Sequence, residues 1–211
     1  MSSIAAKTIF FSNVMVTRKR NLLWGRRWRS LDIKIASGML FLHVLALFAP
    51  STFSWDVFWK AVLVYFFSGI LGISICYHRL LAHHSLSLPK WLEYTCAYLG
   101  VQTIQGVRTS CFHHITFLVN SACHIWGRQA WNTDDLSRNN WWVAMITFGE
   151  GWHNNHHAFE YSARHGLEWW QIDMSWYMIC FLKSVGLATN VKLPTQAHML
   201  KKSFAYDSKF K

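Results

Sequence analysis

Three short stretches gather histidine. "GEGWHNNHH" puts His153, His156 and His157 within five positions, "NSACH" puts His124 four residues after Asn120, and "YHRLLAH" carries His78 and His83. A neutral imidazole is the commonest metal ligand of proteins, and with no cysteine beside the first cluster an all-nitrogen set suits iron, copper, zinc or nickel. If residues 153–157 are helical, the three histidines stand at i, i+3 and i+4 on one face, so they are expected to converge on one point. His78 and His83 are five apart, roughly 140° around an α-helix, and cannot share a face unless the helix ends between them. His165 lies outside these motifs and is assigned no metal.

The elements that must position these groups read as membrane helices. The 211 residues carry 21 Lys and Arg against 10 Asp and Glu, a net +11, yet 52% are apolar, with 13 Trp and 15 Phe. A basic surface with aromatics also suits single-stranded nucleic acid, but the long apolar runs argue against that partner. Spans are expected at about 35–50, 57–77 and 110–127, with 91–106 barely long enough to be another. Polar Asn120 and His124, four apart within one of these runs, are expected to face the bundle interior. Lys and Arg concentrate before the first run, so the N-terminus is placed in the cytosol, and the second run brings His78 and His83 back to that side.

The expected organisation is a basic segment (1–34), a histidine-bearing domain (35–194, with a cap from 128) and a basic tail (195–211). Residues 128–140 read as a polar connector with an N-cap at Thr133 or Asp134, and 166–194 as an amphipathic helix ended by Gly186. The five cysteines are scattered singly and imply neither a zinc knuckle nor a disulfide frame. No acid occurs in the first thirty-one residues, a composition shared with transit peptides.

Taken together, "HRLLAH", "NSACH" and "GEGWHNNHH", with "DLSRNNWW", "SARHGLEWWQ" and "GLATNVKLP", resemble the membrane fatty-acyl desaturases, specifically the plant-type Δ9 acyl-CoA or acyl-lipid group, from about Trp24 to Pro194. The resemblance implies an all-α membrane protein whose transmembrane helices carry a cytosolic helical cap with histidine boxes, in the endoplasmic reticulum or a plastid. It implies two Fe2+ ions, dioxygen, electrons from cytochrome b5 or ferredoxin, and a saturated acyl chain as substrate. Carried over by motif, the iron ligands are His78, His83, His124, His153, His156 and His157. Asn120 acts through water, and Gln105, Thr116 and Phe117 fall near the bend of the acyl tunnel.

One departure matters. The family has a middle H-x-x-H-H box and a third span where this chain runs from "IQG" straight into "VRTSCFHHITF". Three of nine expected histidines are absent, and His113 and His114 flank the start of a span rather than facing His153. Losing one span also breaks parity: the boxes fall on opposite faces unless 91–106 crosses. The expectation is weak or no desaturase activity, with an inactive membrane partner of itself or of full-length desaturases as the alternative and a histidine-lined metal carrier behind it.

Overall fold

The longest apolar run folds as one helix with two windings. In the computed structural model, which describes residues 28–102 and 107–203, α2 (Trp55–Phe67) passes without a break into a π-helix, Ser68–Ala82. Together Trp55–Ala82 is long and apolar enough to cross a membrane, with a mean hydropathy of 1.7. Its first part carries no buried residue; Val57, Trp59 and Leu63 face outward, as do Leu40 and Phe41 of α1 (Ser30–Ala46). Such an apolar surface suits lipid rather than water. The π-helical part is buried on one side by Ile70, Ile75, Cys76 and Leu80, which pack with Leu86, Phe148, Ile179 and Leu182 in the main core.

The stretch 91–106, read as barely long enough to span, is described as far as residue 102. Helix α3 (Lys90–Val101) has 12 residues, about 18 Å at 1.5 Å each, against a hydrocarbon core of about 30 Å. It lies back along the π-helix in the opposite direction, with the Tyr77 hydroxyl donating to Ala97 O at 3.1 Å and the Cys76 thiol 3.6 Å from Glu93 O. Small residues permit the approach: a Cβ on Gly72 would sit 2.4 Å from Gly100 N. The chain thus folds back beside the span before α4 (Val107–Ile125) begins. His124, near the end of α4, reaches the same end of the molecule as His78, so the feared separation of the boxes does not occur. Gln105 lies outside the described residues.

The cap is built of α5 (Trp141–Ile146), α6 (His153–Ala158) and α7 (Met174–Ser184), followed by α8 (Gln196–Lys202). Among the described residues there is no strand; of three isolated bridges, Arg128–Asn139 closes the connector on itself, Asn139–Trp152 ties it to the cap, and Ser87–Thr189 lies elsewhere. No helix starts at Thr133 or Asp134, because Thr133 is buried and its hydroxyl is engaged by Asp135 and Asn154. The helix expected from 166 starts only at Met174. Asp173 caps it, with Oδ1 accepting from Trp176 N, while Oδ2 holds the preceding loop by accepting from His165 N at 2.8 Å and Gly166 N at 3.2 Å. Gly186, at φ +77°, follows the helix as expected, since only glycine enters that region at no steric cost. Cys76, Cys96 and Cys123 are buried as free thiols and Cys180 is exposed.

Candidate metal centre

The winding of the long helix bears on the spacing of its histidines. In a π-helix each N–H bonds the carbonyl five residues back, which stacks residue i+5 over residue i. His83 N donates to His78 O at 3.1 Å, and the two imidazole centroids lie 4.7 Å apart. The pair that α-helical geometry would drive apart is therefore brought together.

Helix α6 corrects the opposite expectation. At about 100° per residue His153 and His157 differ by some 40°, whereas His156 and His157 differ by about 100°. The three histidines accordingly serve two groups rather than one point. His153 and His157 join His124 of α4, and His156 joins His78 of the span and His165 of the following loop; within each group the offered nitrogens lie within 4.8 Å of one another. The His124 and His153 Nε2 atoms are 3.0 Å apart. His83 completes the neighbourhood of the second group, 4.7 Å by centroid from His156. All six histidines carried over from the motifs are thus gathered, and a seventh, His165, comes with them. His114 does not; its Nε2 lies 2.9 Å from His43 Nε2, in a contact between α4 and α1.

Each group has its own carboxylate. Asp135 accepts from His157 Nδ1, and Glu150 Oε2 lies 3.3 Å from His78 Nε2 and 3.2 Å from His165 Nδ1. A carboxylate on the far nitrogen fixes the tautomer of a metal-binding imidazole and raises its basicity. Glu150 is held in turn by the Ser74 hydroxyl and by Arg79, whose fully buried guanidinium also pairs with Asp173 at 2.9 Å. The half-buried Glu150 and the buried Asp173 against one arginine leave an excess of one negative charge beside the histidines, which a cation would offset.

Burial penalises the charged imidazole at His153, pushing its pKa down to about 3, with the neighbouring His157 and His124 acting in the same direction; burial lowers His156 as well. Both therefore offer lone pairs at neutral pH. Burial raises Glu150, but His165 and Arg79 outweigh it and hold the carboxyl well below the usual range. At Asp135, burial is likewise outweighed, here by hydrogen bonds from Ser137, His157 and Thr133, so it stays ionised. His156 Nδ1 and His165 Nε2 are buried with no hydrogen-bond partner. Orphaned imidazole nitrogens in a nitrogen- and carboxylate-lined cluster fit a divalent transition metal such as iron.

An apolar cavity of about 200 Å³ adjoins this cluster, lined among others by Tyr65, Ile73, Thr116, Val119 and Asn120, with His78 and His153, one from each group, at its wall. It is smaller than the roughly 300–1,000 Å³ of common ligand sites, a size for a segment of a flexible chain. Thr116 and Asn120 are both on its wall. Phe117 does not line it and is 53% exposed.

Residues that motif reading passed over hold the centre in place. Asn154 Oδ1 accepts from Ala130 N and Trp131 N, both at 2.7 Å, and its amide donates to Thr133 and Ser137. Asn155 accepts from Trp131 Nε1 and Asn139, and donates to His165 O at 2.7 Å and Gln171 at 2.8 Å. The two asparagines inside "HNNHH" are thus the fastening of α6. Glu150 and Asp135 stood in the quoted motif and in "NTDDLS", and a sequence signal for them existed: acids flanking a histidine cluster.

No protein-family model matches the chain. Curated relatives do. It is 36% identical over 296 residues to palmitoyl-monogalactosyldiacylglycerol delta-7 desaturase, chloroplastic, of Arabidopsis thaliana, covering 95% of this chain and 80% of the relative. It is 36% identical over 288 residues to acyl-CoA C20 Delta5-desaturase of Anemone leveillei, covering 92% of each. It is 36% identical over 274 residues to Delta-9 acyl-lipid desaturase 1 of Arabidopsis thaliana, covering 85% of this chain and 90% of the relative. The Δ9 character is therefore not singled out, since relatives named for three different positions match equally well. On the strength of these relatives, this chain belongs to the plant acyl-lipid and acyl-CoA desaturases.

Proposed function

We propose that the protein is a fatty-acyl desaturase that uses dioxygen to introduce a double bond into a saturated acyl chain at two iron ions. One group is His124, His153 and His157; the other is built on His78, His83 and His156, and Asn120 reaches iron through water. The observation that carries this reading is that both imidazole groups abut one apolar cavity, so a methylene segment lying there faces both. Iron bound there would supply the reduction of dioxygen to two waters, taking two electrons from the donor, two protons from solvent and two hydrogen atoms from adjacent carbons. The protein's own residues hold the ions, burial keeps His153 and His156 neutral, and Tyr65, Ile73 and Val119 exclude water from the segment.

Δ9 is the position proposed from the motifs. The substrate is an acyl-CoA or acyl-lipid, the donor cytochrome b5 or ferredoxin, and the setting a multi-pass membrane protein. Between the endoplasmic reticulum and the plastid, the acid-free N-terminal stretch and the word "chloroplastic" in two relatives' names favour the plastid.

Activity is proposed to be weaker than that of full-length relatives. This is supported by the missing middle box and by alignments that run over up to 296 residues where this chain has 211, as expected if the relatives carry a stretch that it lacks. Expression in a desaturase-deficient yeast strain tests the reading: new monounsaturated chains, at a level below a full-length relative assayed alongside, are expected. Their complete absence, with protein present in the membrane, would favour the second reading, an inactive partner of full-length desaturases. Co-purification with such a relative tests that partnership.

A further inference from the structure

His165 belongs to no histidine box, yet it sits inside the centre. Its side chain is 1% exposed, and its ring centroid is 4.6 Å from that of His156 and 5.7 Å from that of His78. Its backbone is pinned on both sides. Asp173 Oδ2 accepts from its N–H, and the Asn155 amide, from the metal-facing helix itself, donates to its carbonyl. A loop so fastened holds the imidazole where it is at little further entropic cost.

The two ring nitrogens have unequal surroundings. Nδ1 faces the Glu150 carboxylate at 3.2 Å, with Arg79 at 3.3 Å, and Nε2 is buried without any partner. A histidine kept for packing alone would leave that nitrogen unsatisfied in the core, which native structures avoid. A histidine whose Nδ1–H is held by a carboxylate and whose Nε2 carries the free lone pair has the arrangement of a metal ligand. The same arrangement recurs in the other group, where Asp135 holds His157 Nδ1.

We propose that His165 is a metal ligand in this chain: through Nε2 it closes a three-imidazole site with His78 and His156, with Glu150 as the residue that positions it. The chain thereby fills, from its own cap, a coordination place left by the absent middle box. The inference rests on the proposed metal centre but not on catalysis, because what it predicts is metal occupancy.

The experiment loads the purified full-length chain in detergent with Co2+ and reads bound metal together with the visible and near-ultraviolet spectrum. The unaltered protein is expected to hold two equivalents. H165A is expected to hold one, with its helical circular dichroism unchanged, and H165C is expected to restore the second with a new sulfur-to-cobalt charge-transfer band. That band is a signature no packing role would produce. Two equivalents retained in H165A would overturn the proposal, and so would recovery of the second equivalent in H165C without the charge-transfer band. Absence of any bound Co2+ in the unaltered protein would overturn the metal centre itself, whereas full occupancy without acyl desaturation would leave His165 as a ligand and count only against the proposed reaction.

Discussion

His124 and His153 meet nitrogen to nitrogen, Nε2 to Nε2 at 3.0 Å, although they lie 29 residues apart on α4 and α6. Two lone pairs at that distance repel unless a proton or a cation lies between them. With burial keeping His153 neutral, the gap is filled either by the Nε2–H of one ring or by a cation, and the proposed metal centre takes the second form. His153→Ala is therefore expected to remove about one equivalent of bound metal and leave the His78 side loaded. Elemental analysis of the purified variant checks this, and full occupancy would show that the pair is held by a shared proton.

Metal removal should be felt as lost stability. A ligand bound only by the folded state and present at about 100 times its Kd contributes about 2.7 kcal/mol. Stripping the protein with a strong chelator is expected to lower its Tm by several degrees and re-adding Fe2+ to restore it. Superposable melting curves before and after stripping would place the histidines among ordinary core residues.

The metal-free protein should be acid-sensitive in a definite window. His153 titrates at about 3 when folded against 6.5 as a free side chain, and His156 is shifted in the same direction. Between those values the unfolded chain binds more protons, so stability rises with pH; it is fully present above about 6.5 and is lost progressively below. Melting temperatures measured at pH 7.5, 6.5 and 5.5 should fall along that series. A flat profile would mean that the two rings are as accessible to protons as free imidazole.

Asn155→Ala removes both acceptor and donor contacts that join α6 to Trp131, Asn139, His165 and Gln171. At about 1 kcal/mol for each net hydrogen bond, and more for the partners left buried, a loss of about 3 kcal/mol is expected. Chemical denaturation measures it, and metal content should fall too because the His165 loop loses its tether. Asn155→Asp, which keeps the accepting oxygen but sets a second oxygen against His165 O and Gln171 Oε1 in the core, should be at least as destabilising.

Gly100 tests the return leg. A Cβ there would lie 2.3 Å from the Tyr77 ring, one residue before His78. Gly100→Val should push α3 off the π-helix, costing about 1–3 kcal/mol and weakening metal binding at the His78 side more than at the His124 side. Equal loss from both groups would show that α3 supports the cap as a whole.

Much of this architecture could be read from residues alone. The apolar runs announced α1, the long helix and α4, and the histidine motifs announced rings that the fold brings together; both are local signals. What escaped depended on partners far along the chain. His78 and His83 can meet on an α-helix only if it ends between them; this helix does end at Ala82, with His83 as its C-cap, and nothing local marks its i→i+5 bonding. His156 was grouped with its neighbours because position on a helix says which residues share a face, not which of two companions each will meet. Arg79, 71 to 94 residues away, draws Asp173, Glu150 and His165 together, and that part of the arrangement no local spacing could announce.

The division of labour on α6 also limits how the centre can be altered. A small rotation of this six-residue helix that carried His153 and His157 deeper into one group would swing His156 out of the other. The azimuth has one acceptable value, and gain at one ion is loss at its neighbour. Asn154 and Asn155, each fully committed to the surrounding loops, act as the stops that set it, so substitutions around α6 should improve or damage the two ions in opposite directions rather than together.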